Sequence, residues 1–323
     1  MRSRAVLGLI SIVAGLVWSV PTAAQDAVQP AQSCADPDRS ISLFAEHLGK
    51  GRNGYGLTPE TASIPGPTIE MEEGECLHVT LVNDTFRKLS MHAHGVDYTV
   101  ESDGTPLNNS CVAPGRSRTY VFQAHLPTTR SDGTVDPGSA GYWHYHDHCL
   151  GTDHGTGGVK SGLFGGFIVR RPGDPLPERT CVLTMINTTF NLKIAPRTPR
   201  CESTIGDRVE FLVIGHGELF HTFHLHGHRW ADTRTGYPEG ALDNTQLLDN
   251  KTVGPADSFG FQVVAGEHVG PGAWMYHCHV QSHSDAGMSG IFVVKTPEGT
   301  LTQQTVDALR AWRKGHSHGH DHR

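Results

Sequence analysis

At Trp274-Met-Tyr-His-Cys-His-Val-Gln-Ser-His-Ser-Asp-Ala-Gly-Met288, the sequence sets a cysteine between two histidines and follows it with a third histidine and a methionine. A blue-copper centre uses two imidazoles, one thiolate and a weak axial thioether. Cys278, His283 and Met288 supply three of these four ligands. The segment therefore predicts an electron-transfer copper site that takes one more imidazole from elsewhere in the chain.

The neighbours of the cysteine predict a second metal site beside the first. Successive side chains leave opposite faces of an extended strand, so Cys278 can point into one cavity while His277 and His279 point into another. The backbone would then join a redox-active thiolate directly to two further imidazoles.

Other histidines of the chain are also paired in the pattern His-x-His. The pairs are His92 with His94, His144 with His146, and His224 with His226. His221, just upstream of the last pair, is predicted to complete the Cys278 site. One such pair is weak support because imidazole binds copper, iron, nickel and zinc alike. Several pairs in register with a cysteine and a methionine favour a protein with several copper ions.

The two halves of the chain resemble each other, which indicates a tandem duplication. His92 precedes its match His224 by 132 residues, and His144 precedes its match His277 by 133 residues. Further matches begin at Glu73 and Ile205, at Ala113 and Gly254, and at Ser161 and Ser289. In this register the positions of His221, Cys278 and His283 are occupied in the first half by Leu89, Tyr145 and Leu150. The first half is therefore predicted to lack the cysteine-containing site.

Length and local pattern predict an all-β chain of two domains. The 323 residues suffice for two cores of ordinary size, and short alternating segments separated by many glycines and prolines favour a sandwich or small barrel in each half. The predicted domains are residues 25–170 and 180–297, joined by a proline-rich linker at 171–179. The tail 298–323 contains one helical candidate, from about Val306 to Trp312, and a histidine-rich end.

The first residues predict export. Arg2 and Arg4 precede an apolar run from Ala5 to Trp18, and small residues near Ala24 suit cleavage, so residues 1–24 are predicted to be a secretory signal. A periplasmic or secreted protein can form disulfides. We expect Cys181 to pair with Cys201, and we expect two further bridges whose pairing stays open among Cys34, Cys76, Cys111 and Cys149.

Charge and composition argue against nucleic acid and membranes as partners, and they allow two interpretations of the histidine-rich end. A net charge of −7 without a basic run argues against nucleic acid binding, and no run is long enough to predict a membrane span. The end from Gly315 to Arg323 could collect copper or be a solvated tail.

Over nearly the whole mature chain the sequence resembles the multicopper oxidases, and among them the two-domain bacterial laccases. The segments that carry the resemblance are His92-Ala-His-Gly-Val-Asp-Tyr98, Tyr142-Trp-His-Tyr-His-Asp-His148, Gly151-Thr-Asp-His-Gly-Thr-Gly157, His221-Thr-Phe-His-Leu-His-Gly-His-Arg-Trp-Ala-Asp232 and Tyr276-His-Cys-His-Val-Gln-Ser-His-Ser-Asp285. This resemblance implies two tandem cupredoxin-like Greek-key domains, with the mononuclear copper only in the second.

The resemblance also implies four copper ions per subunit and a role for each ligand. The type 1 copper would take His221, Cys278, His283 and axial Met288. The type 2 copper would take His92 and His224, and the type 3 pair would take His94, His144, His146, His226, His277 and His279. Tyr98 and Asp103 would lie beside the trinuclear cluster, for electron supply and proton delivery respectively.

The activity implied is that of a laccase: one-electron oxidation of phenols or aromatic amines, coupled to four-electron reduction of dioxygen to water. Related proteins are homotrimers with a trinuclear cluster at each subunit boundary, and the same is expected here. A copper nitrite reductase would need fewer histidines, and it would carry its blue copper in the first domain. A copper-buffering protein would not need a cysteine that links two sites, and a cuprous oxidase would be expected to contain more than 6 methionines.

Overall fold

The computed structural model describes residues 34–317. The predicted signal segment 1–24 and the last histidines of the tail, beyond residue 317, lie outside these residues. Among the helices of residues 34–317, none is both long and apolar enough to cross a membrane.

The first half contains two facing four-stranded sheets, in the strand orders β2-β1-β4-β6 and β3-β10-β9-β5, and a separate two-stranded sheet, β7-β8. Its strands are β1 (Arg39–Gly49), β2 (Arg52–Gly56), β3 (Gly66–Glu72), β4 (Cys76–Asn83), β5 (His92–Ala93), β6 (Ser117–Gln123), β7 (Thr128–Thr129), β8 (Val135–Asp136), β9 (Gly141–His146) and β10 (Phe164–Arg170). One short helix, α1 (Thr156–Ser161), precedes β10, and 3₁₀ turns occupy Pro59–Thr61 and Val100–Ser102.

The second half repeats this plan, with the sheets β12-β11-β14-β19 and β13-β21-β20-β15-β18. Its strands are β11 (Arg179–Ile186), β12 (Thr189–Phe190), β13 (Arg200–Thr204), β14 (Arg208–His216), β15 (His221–Leu225), β16 (Trp230–Ala231), β17 (Leu247–Leu248), β18 (Asn250–Val253), β19 (Ser258–Val264), β20 (Gly272–Cys278) and β21 (Ser289–Lys295). Its helices are α2 (Gln281–Asp285) and α3 (Gln303–Ser317). The prediction of an all-β chain built from a repeated sandwich is confirmed.

Each half has its own core, formed by apolar faces of the strands in its two larger sheets. In β4, Leu77, Val79 and Leu81 are fully buried, and the residues between them face outward. The predicted strand over 209–214 lies within β14, whose residues from Val209 onward are buried on both faces because the two halves pack together there. The predicted helix near the end of the chain is found as α3 and is longer than expected.

A buried ionic contact holds the two halves together. Glu210 of β14 is fully buried and accepts hydrogen bonds from Arg170 Nη1 at 2.8 Å and from Tyr142 Oη at 2.7 Å. Gly260 of β19 allows this arrangement, since a Cβ there would lie 2.1 Å from the Tyr142 ring. A buried charge is tolerated when it is paired and hydrogen-bonded, and this contact fixes how β9 lies on the second half.

The strand pairing corrects the predicted register of the repeat around His144. Tyr145 lies opposite Gly165, and Tyr276 lies opposite Gly290. The two tyrosines are therefore equivalent. His146 corresponds to His277 and His144 to Met275, so the predicted match of His144 with His277 is wrong by two residues. The match of Ser161 with Ser289 is also wrong, because Phe164 lies opposite His146 as Ser289 lies opposite His277.

The disulfides agree with the expected separation by domain. Cys181 is bonded to Cys201, as predicted, and the pairing left open is Cys34 with Cys76 and Cys111 with Cys149. Cys278 remains a free, buried thiol. Cys278 is therefore the one cysteine whose sulfur is available to bind a metal.

Candidate metal centres

The Cys278 site is assembled by two strands and a short helix. In β15 the inward positions include His221, and in β20 they include Cys278. Helix α2 then brings His283 back towards the thiol, and the chain leaves it through Gly287 at φ 96°, a conformation that favours glycine. Hydrogen bonds from Met288 N to His283 O (3.0 Å) and from Cys278 N to Met288 O (3.0 Å) close this loop.

The donor atoms of this site converge in the core of the second half. The Cys278 Sγ lies 3.8 Å from His221 Nδ1 and 3.6 Å from His283 Nδ1, and all three residues are buried. Burial lowers the pKa of His221 to about 4 and raises the pKa of the Cys278 thiol. The lowered pKa keeps the His221 imidazole neutral and able to bind a cation, and a bound cation would favour the Cys278 thiolate. Met288, fully buried in the same core, completes the predicted set.

The outward faces of the same strands carry four further histidines, which we call the domain 2 half-site: His224, His226, His277 and His279. His224 lies opposite His277 in the sheet, and His226 Nε2 lies 3.2 Å from His277 Nε2. His224 Nδ1 donates to Asp249 O at 2.7 Å, and His277 Nδ1 donates to Cys278 O at 2.9 Å. Since Nδ1 is the donor in both rings, Nε2 is the nitrogen left to bind a metal.

The first half repeats this arrangement, and we call it the domain 1 half-site: His92, His94, His146 and His148. His92 lies opposite His146, and His94 Nε2 lies 3.2 Å from His146 Nε2. His92 Nδ1 donates to Asp103 O at 2.6 Å, and His146 Nδ1 donates to Asp147 O at 2.8 Å. Burial lowers the pKa of His94 to about 4, which keeps it neutral and able to bind a metal.

His148 belongs to this half-site, although it was not among the predicted ligands. Its ring centroid lies 5.1 Å from that of His92 and 5.5 Å from that of His146. The matching distances from His279 to His224 and His277 are 5.6 and 5.3 Å. His148 N donates to Ser90 Oγ as His279 N donates to Thr222 Oγ1. The shared pattern Tyr-His-x-His could have identified it from the sequence.

His144, which was predicted as a ligand, lies one layer deeper than the half-site. It is fully buried and stacks on His94 with a centroid distance of 4.0 Å, and neither of its ring nitrogens has a hydrogen-bond partner. His144 and His146 share a strand face, but two residues of strand separate them by roughly 6.6 Å. The structure therefore replaces His144 with His148 in the candidate ligand set.

Tyr98 and Asp103 both lie against His92. The Tyr98 ring centroid is 5.9 Å from that of His92, and Asp103 Oδ1 is 3.6 Å from His92 Nδ1. Burial raises the pKa of Asp103, but hydrogen bonds from Thr105 and Asn108 outweigh it and leave the pKa below its ordinary value. Burial raises the pKa of Tyr98. These positions agree with the predicted neighbourhood of both residues and leave their roles as predictions.

In the first half a hydrogen-bonded carboxylate, that of Asp147, occupies the position of Cys278, so the predicted match of Tyr145 with Cys278 is wrong. Asp147 is fully buried, and its oxygens accept hydrogen bonds from Ser90 N at 2.6 Å and Leu150 N at 2.7 Å. Gly158 packs directly on it, since a Cβ there would lie 2.1 Å from Asp147 Oδ2. Leu163 O accepts from Asp147 N as Met288 O accepts from Cys278 N. The first half thus has no second copy of the thiolate site among these residues.

Both kinds of site fit copper by their donor atoms. Two imidazoles and a thiolate with a nearby thioether are the donor set of a blue-copper centre, and groups of converging imidazoles suit further copper ions. Ring contacts join the histidines within each half-site, and among residues 34–317 none joins the domain 1 half-site to the domain 2 half-site.

Comparison with known proteins agrees with this chemistry. Residues 61–174 and 175–298 match two family models, each described as multicopper oxidase. A probable nitrite reductase–hydroxylamine oxidoreductase fusion protein of Kuenenia stuttgartiensis is 33% identical over 81% of this chain. Human ceruloplasmin is 26% identical over 75% of the chain. The chain spans only 31% and 24%, respectively, of these two relatives.

Solved structures share the fold. A blue copper oxidase from Nitrosomonas europaea superposes with a TM-score of 0.57 at 26% identity, covering 80% of this chain and 86% of that one. A copper nitrite reductase from the same organism gives a TM-score of 0.58 at 19% identity, covering 82% of this chain and 98% of that one. The second likeness shows the fold alone, and the predicted cupredoxin class is confirmed.

Proposed function

Since the chain belongs to the multicopper oxidase family, we propose that it is a laccase, which oxidises phenols or aromatic amines by one electron and reduces dioxygen to water. The observation that carries the proposal is the position of Cys278. Its side chain lies in the buried mononuclear site, and the residues on either side of it, His277 and His279, belong to the domain 2 half-site. A laccase needs such a direct covalent link between an electron-accepting site and an oxygen-reducing site.

Four copper ions per subunit, when bound, would supply one-electron oxidation at Cys278 and dioxygen reduction at the histidines. The protein fixes the geometry. The backbone carbonyls of Asp103, Asp147, Asp249 and Cys278 hold the Nδ1 protons of four imidazoles and so orient their Nε2 atoms. Asp103, beside His92, is proposed to deliver protons, and Tyr98 to supply an electron.

A trinuclear cluster is proposed to form between subunits. Each half-site offers four imidazoles, and in the single chain the domain 2 half-site opens to solvent: His279 is exposed and His224 is partly exposed. A second copy of the chain that docks its domain 1 half-site there would complete the cluster. A head-to-tail ring of three chains, as in the two-domain laccases that the sequence resembles, would pair every domain 1 half-site with the domain 2 half-site of a neighbouring chain.

Mixing two inactive variants tests this arrangement. One variant carries His92→Leu and His94→Leu, and the other carries His224→Leu and His226→Leu. If the clusters lie between chains, random mixing after dissociation and reassembly should restore about a quarter of the intact sites. Each variant reassembled alone is the control. A mixture that stays inactive while forming mixed oligomers would place the cluster within one chain.

Export to an oxidising compartment is part of the proposal. Three disulfides within residues 34–317 suit such a compartment. The location of the protein in its source cell, measured by fractionation with and without residues 1–24, tests it.

Oxygen uptake is the decisive measurement. The copper-loaded protein is given 2,6-dimethoxyphenol, a neutral donor, and catalase is added at the end. Uptake without later release of oxygen supports a laccase, because hydrogen peroxide would return part of the oxygen. Uptake with ferrous ion but not with the phenol would instead indicate a ferroxidase. Reduction of nitrite without oxygen uptake would indicate a nitrite reductase. The metal-free protein is the control.

A further inference from the structure

A groove beside the Cys278 site is left unexplained by the metal chemistry. Its volume is about 760 Å³, and it runs between the segment 189–200 and helix α3. Ile194, Pro196 and Trp312 provide apolar surface along its walls. Lys193, Arg197 and Arg313 line the same groove. An aromatic body and an acidic group could therefore be bound together there.

The segment 189–200, which lines the groove, is hydrogen-bonded to the loop that carries the predicted axial ligand. Ala195 N donates to Gly287 O at 2.9 Å, and Thr198 Oγ1 donates to Ser289 O at 2.7 Å. These two hydrogen bonds flank Met288. Ile194 packs closely on the same loop, since a Cβ added at Gly287 would lie 3.2 Å from Ile194 Cβ. A molecule in the groove would therefore lie close to the electron-accepting site.

The positive charge of the groove is not neutralised by neighbouring carboxylates. Lys193, Arg197 and Arg313 are exposed, and none of them takes part in the ion pairs found within residues 34–317. A fourth cation at the rim, Arg200, is paired with Glu202. Three free cations in one groove contrast with the net charge of −7 of the whole chain. Such a local field attracts anions.

We propose that this groove binds the electron donor and selects aromatic donors that carry a carboxylate, such as phenolic acids. The ring would pack against Trp312 and the apolar wall, while the carboxylate faces the three cations. Four phenols would each lose one electron and one proton to give phenoxyl radicals, and one dioxygen would take up these four electrons and four protons to give two water molecules. This inference rests on the proposed function, because it names the donor class of the same enzyme.

Binding of redox-inert ligands tests the groove without turnover. The copper-loaded full chain is titrated calorimetrically with 4-methoxyphenylacetate and with its amide, which has a similar shape but no charge. We expect the carboxylate to bind at least about 5-fold more tightly, and each removed cation to weaken its binding by about 2- to 5-fold, the range for exposed ion pairs. The preference should shrink in high salt.

A triple variant locates the effect. Lys193→Gln, Arg197→Gln and Arg313→Gln together should abolish the preference for the carboxylate and leave binding of the amide unchanged. The matched control replaces three exposed cations of the first half, Arg87, Lys88 and Arg116, with Gln. In the triple variant we also expect KM for 4-hydroxy-3-methoxyphenylacetate to rise towards that for its amide while kcat is unchanged.

Three results would overturn the proposal. They are equal binding of the acid and the amide, an unchanged preference in the triple variant, and a change of oligomeric state in that variant, which would make the groove a contact between chains. Failure of the laccase proposal would be seen separately, as absent oxygen uptake with the neutral 2,6-dimethoxyphenol.

Discussion

The segments Tyr145-His-Asp-His148 and Tyr276-His-Cys-His279 have the same backbone plan and different centres. In each, the tyrosine faces a glycine of the next strand, and the two histidines join a half-site on the outward face. The residue between the histidines points inward, and it is a hydrogen-bonded Asp147 in one half and a free thiol, Cys278, in the other.

This difference shows that the two faces of one strand can change independently. Gly158, and not the predicted Leu150, matches His283, because Leu163 N donates to Gly158 O as Met288 N donates to His283 O. The first half thus has Leu89, Gly158 and Leu163 where the second half has His221, His283 and Met288. The inward positions hold a metal-binding donor set in one half and packing and hydrogen bonds in the other, while both halves have the outward histidines. The duplicated domain thus contributes half of one candidate cluster without an electron-accepting site of its own.

The largest expected effect comes from removing the thiolate of the Cys278 site. Cys278→Ser preserves the size of the side chain but removes the thiolate, so the intense absorption of a copper–thiolate bond should disappear. Oxygen uptake should fall by more than about 100-fold, the upper range for residues that only orient a ligand. Visible absorption and oxygen uptake of the copper-loaded variant check this. A variant that stayed blue would show that another residue supplies the thiolate role.

The next prediction tests whether His148 or His144 is the counterpart of His279. His148→Leu should lower the copper content and reduce oxygen uptake by about 10- to 100-fold or more. His144→Leu should retain copper, because the equivalent residue in the second half is the similarly sized Met275. Copper analysis of both purified variants gives the comparison. Loss of copper from the His144 variant alone would restore the original assignment.

The choice between His144 and His148 shows what a sequence pattern can and cannot determine. Residues 144–148 contain two overlapping His-x-His pairs, and spacing alone does not distinguish them. Strand pairing does, because Tyr145 lies opposite Gly165, where its ring fills the space of the missing side chain. The all-β class, the Cys278 site and the Cys181–Cys201 bridge could be predicted from local pattern. The separation of the two half-sites in space could not, because it depends on how Glu210 and Arg170 dock the halves.

A smaller effect is expected when the predicted axial ligand, Met288, is replaced by the apolar residue found at the matching position of the first half. Met288→Leu mimics Leu163. The weak thioether ligand would be lost, so the reduction potential of the site should rise while the blue colour stays. A redox titration followed by visible absorption checks this, with Met275→Leu, outside the predicted site, as the control. A lowered potential would argue that Met288 is not near the metal.

The smallest effect is on stability and concerns two histidines, one in each half, that are not among the predicted or the candidate metal ligands. His125 lies between Asp97 (2.9 Å) and Asp136 (3.0 Å), and although burial lowers its pKa, these carboxylates raise it overall. His228 is buried, accepts a hydrogen bond from Gly266 N at 3.0 Å, and has its pKa lowered by burial.

The signs of their pH effects are therefore opposite. The stability from His125 is present below the ordinary histidine pKa of about 6.5 and is lost as pH rises through the raised value, whereas that from His228 is present above 6.5 and is lost as pH falls. His125→Gln should lower the free energy of unfolding by less than about 1 kcal/mol at pH 6, because the group is partly exposed and screened, and by almost nothing at pH 8.5. His228→Gln should destabilise more at pH 8.5 than at pH 6. Urea unfolding at both pH values measures the two differences, and equal losses at both pH values would show that neither histidine acts through its charge.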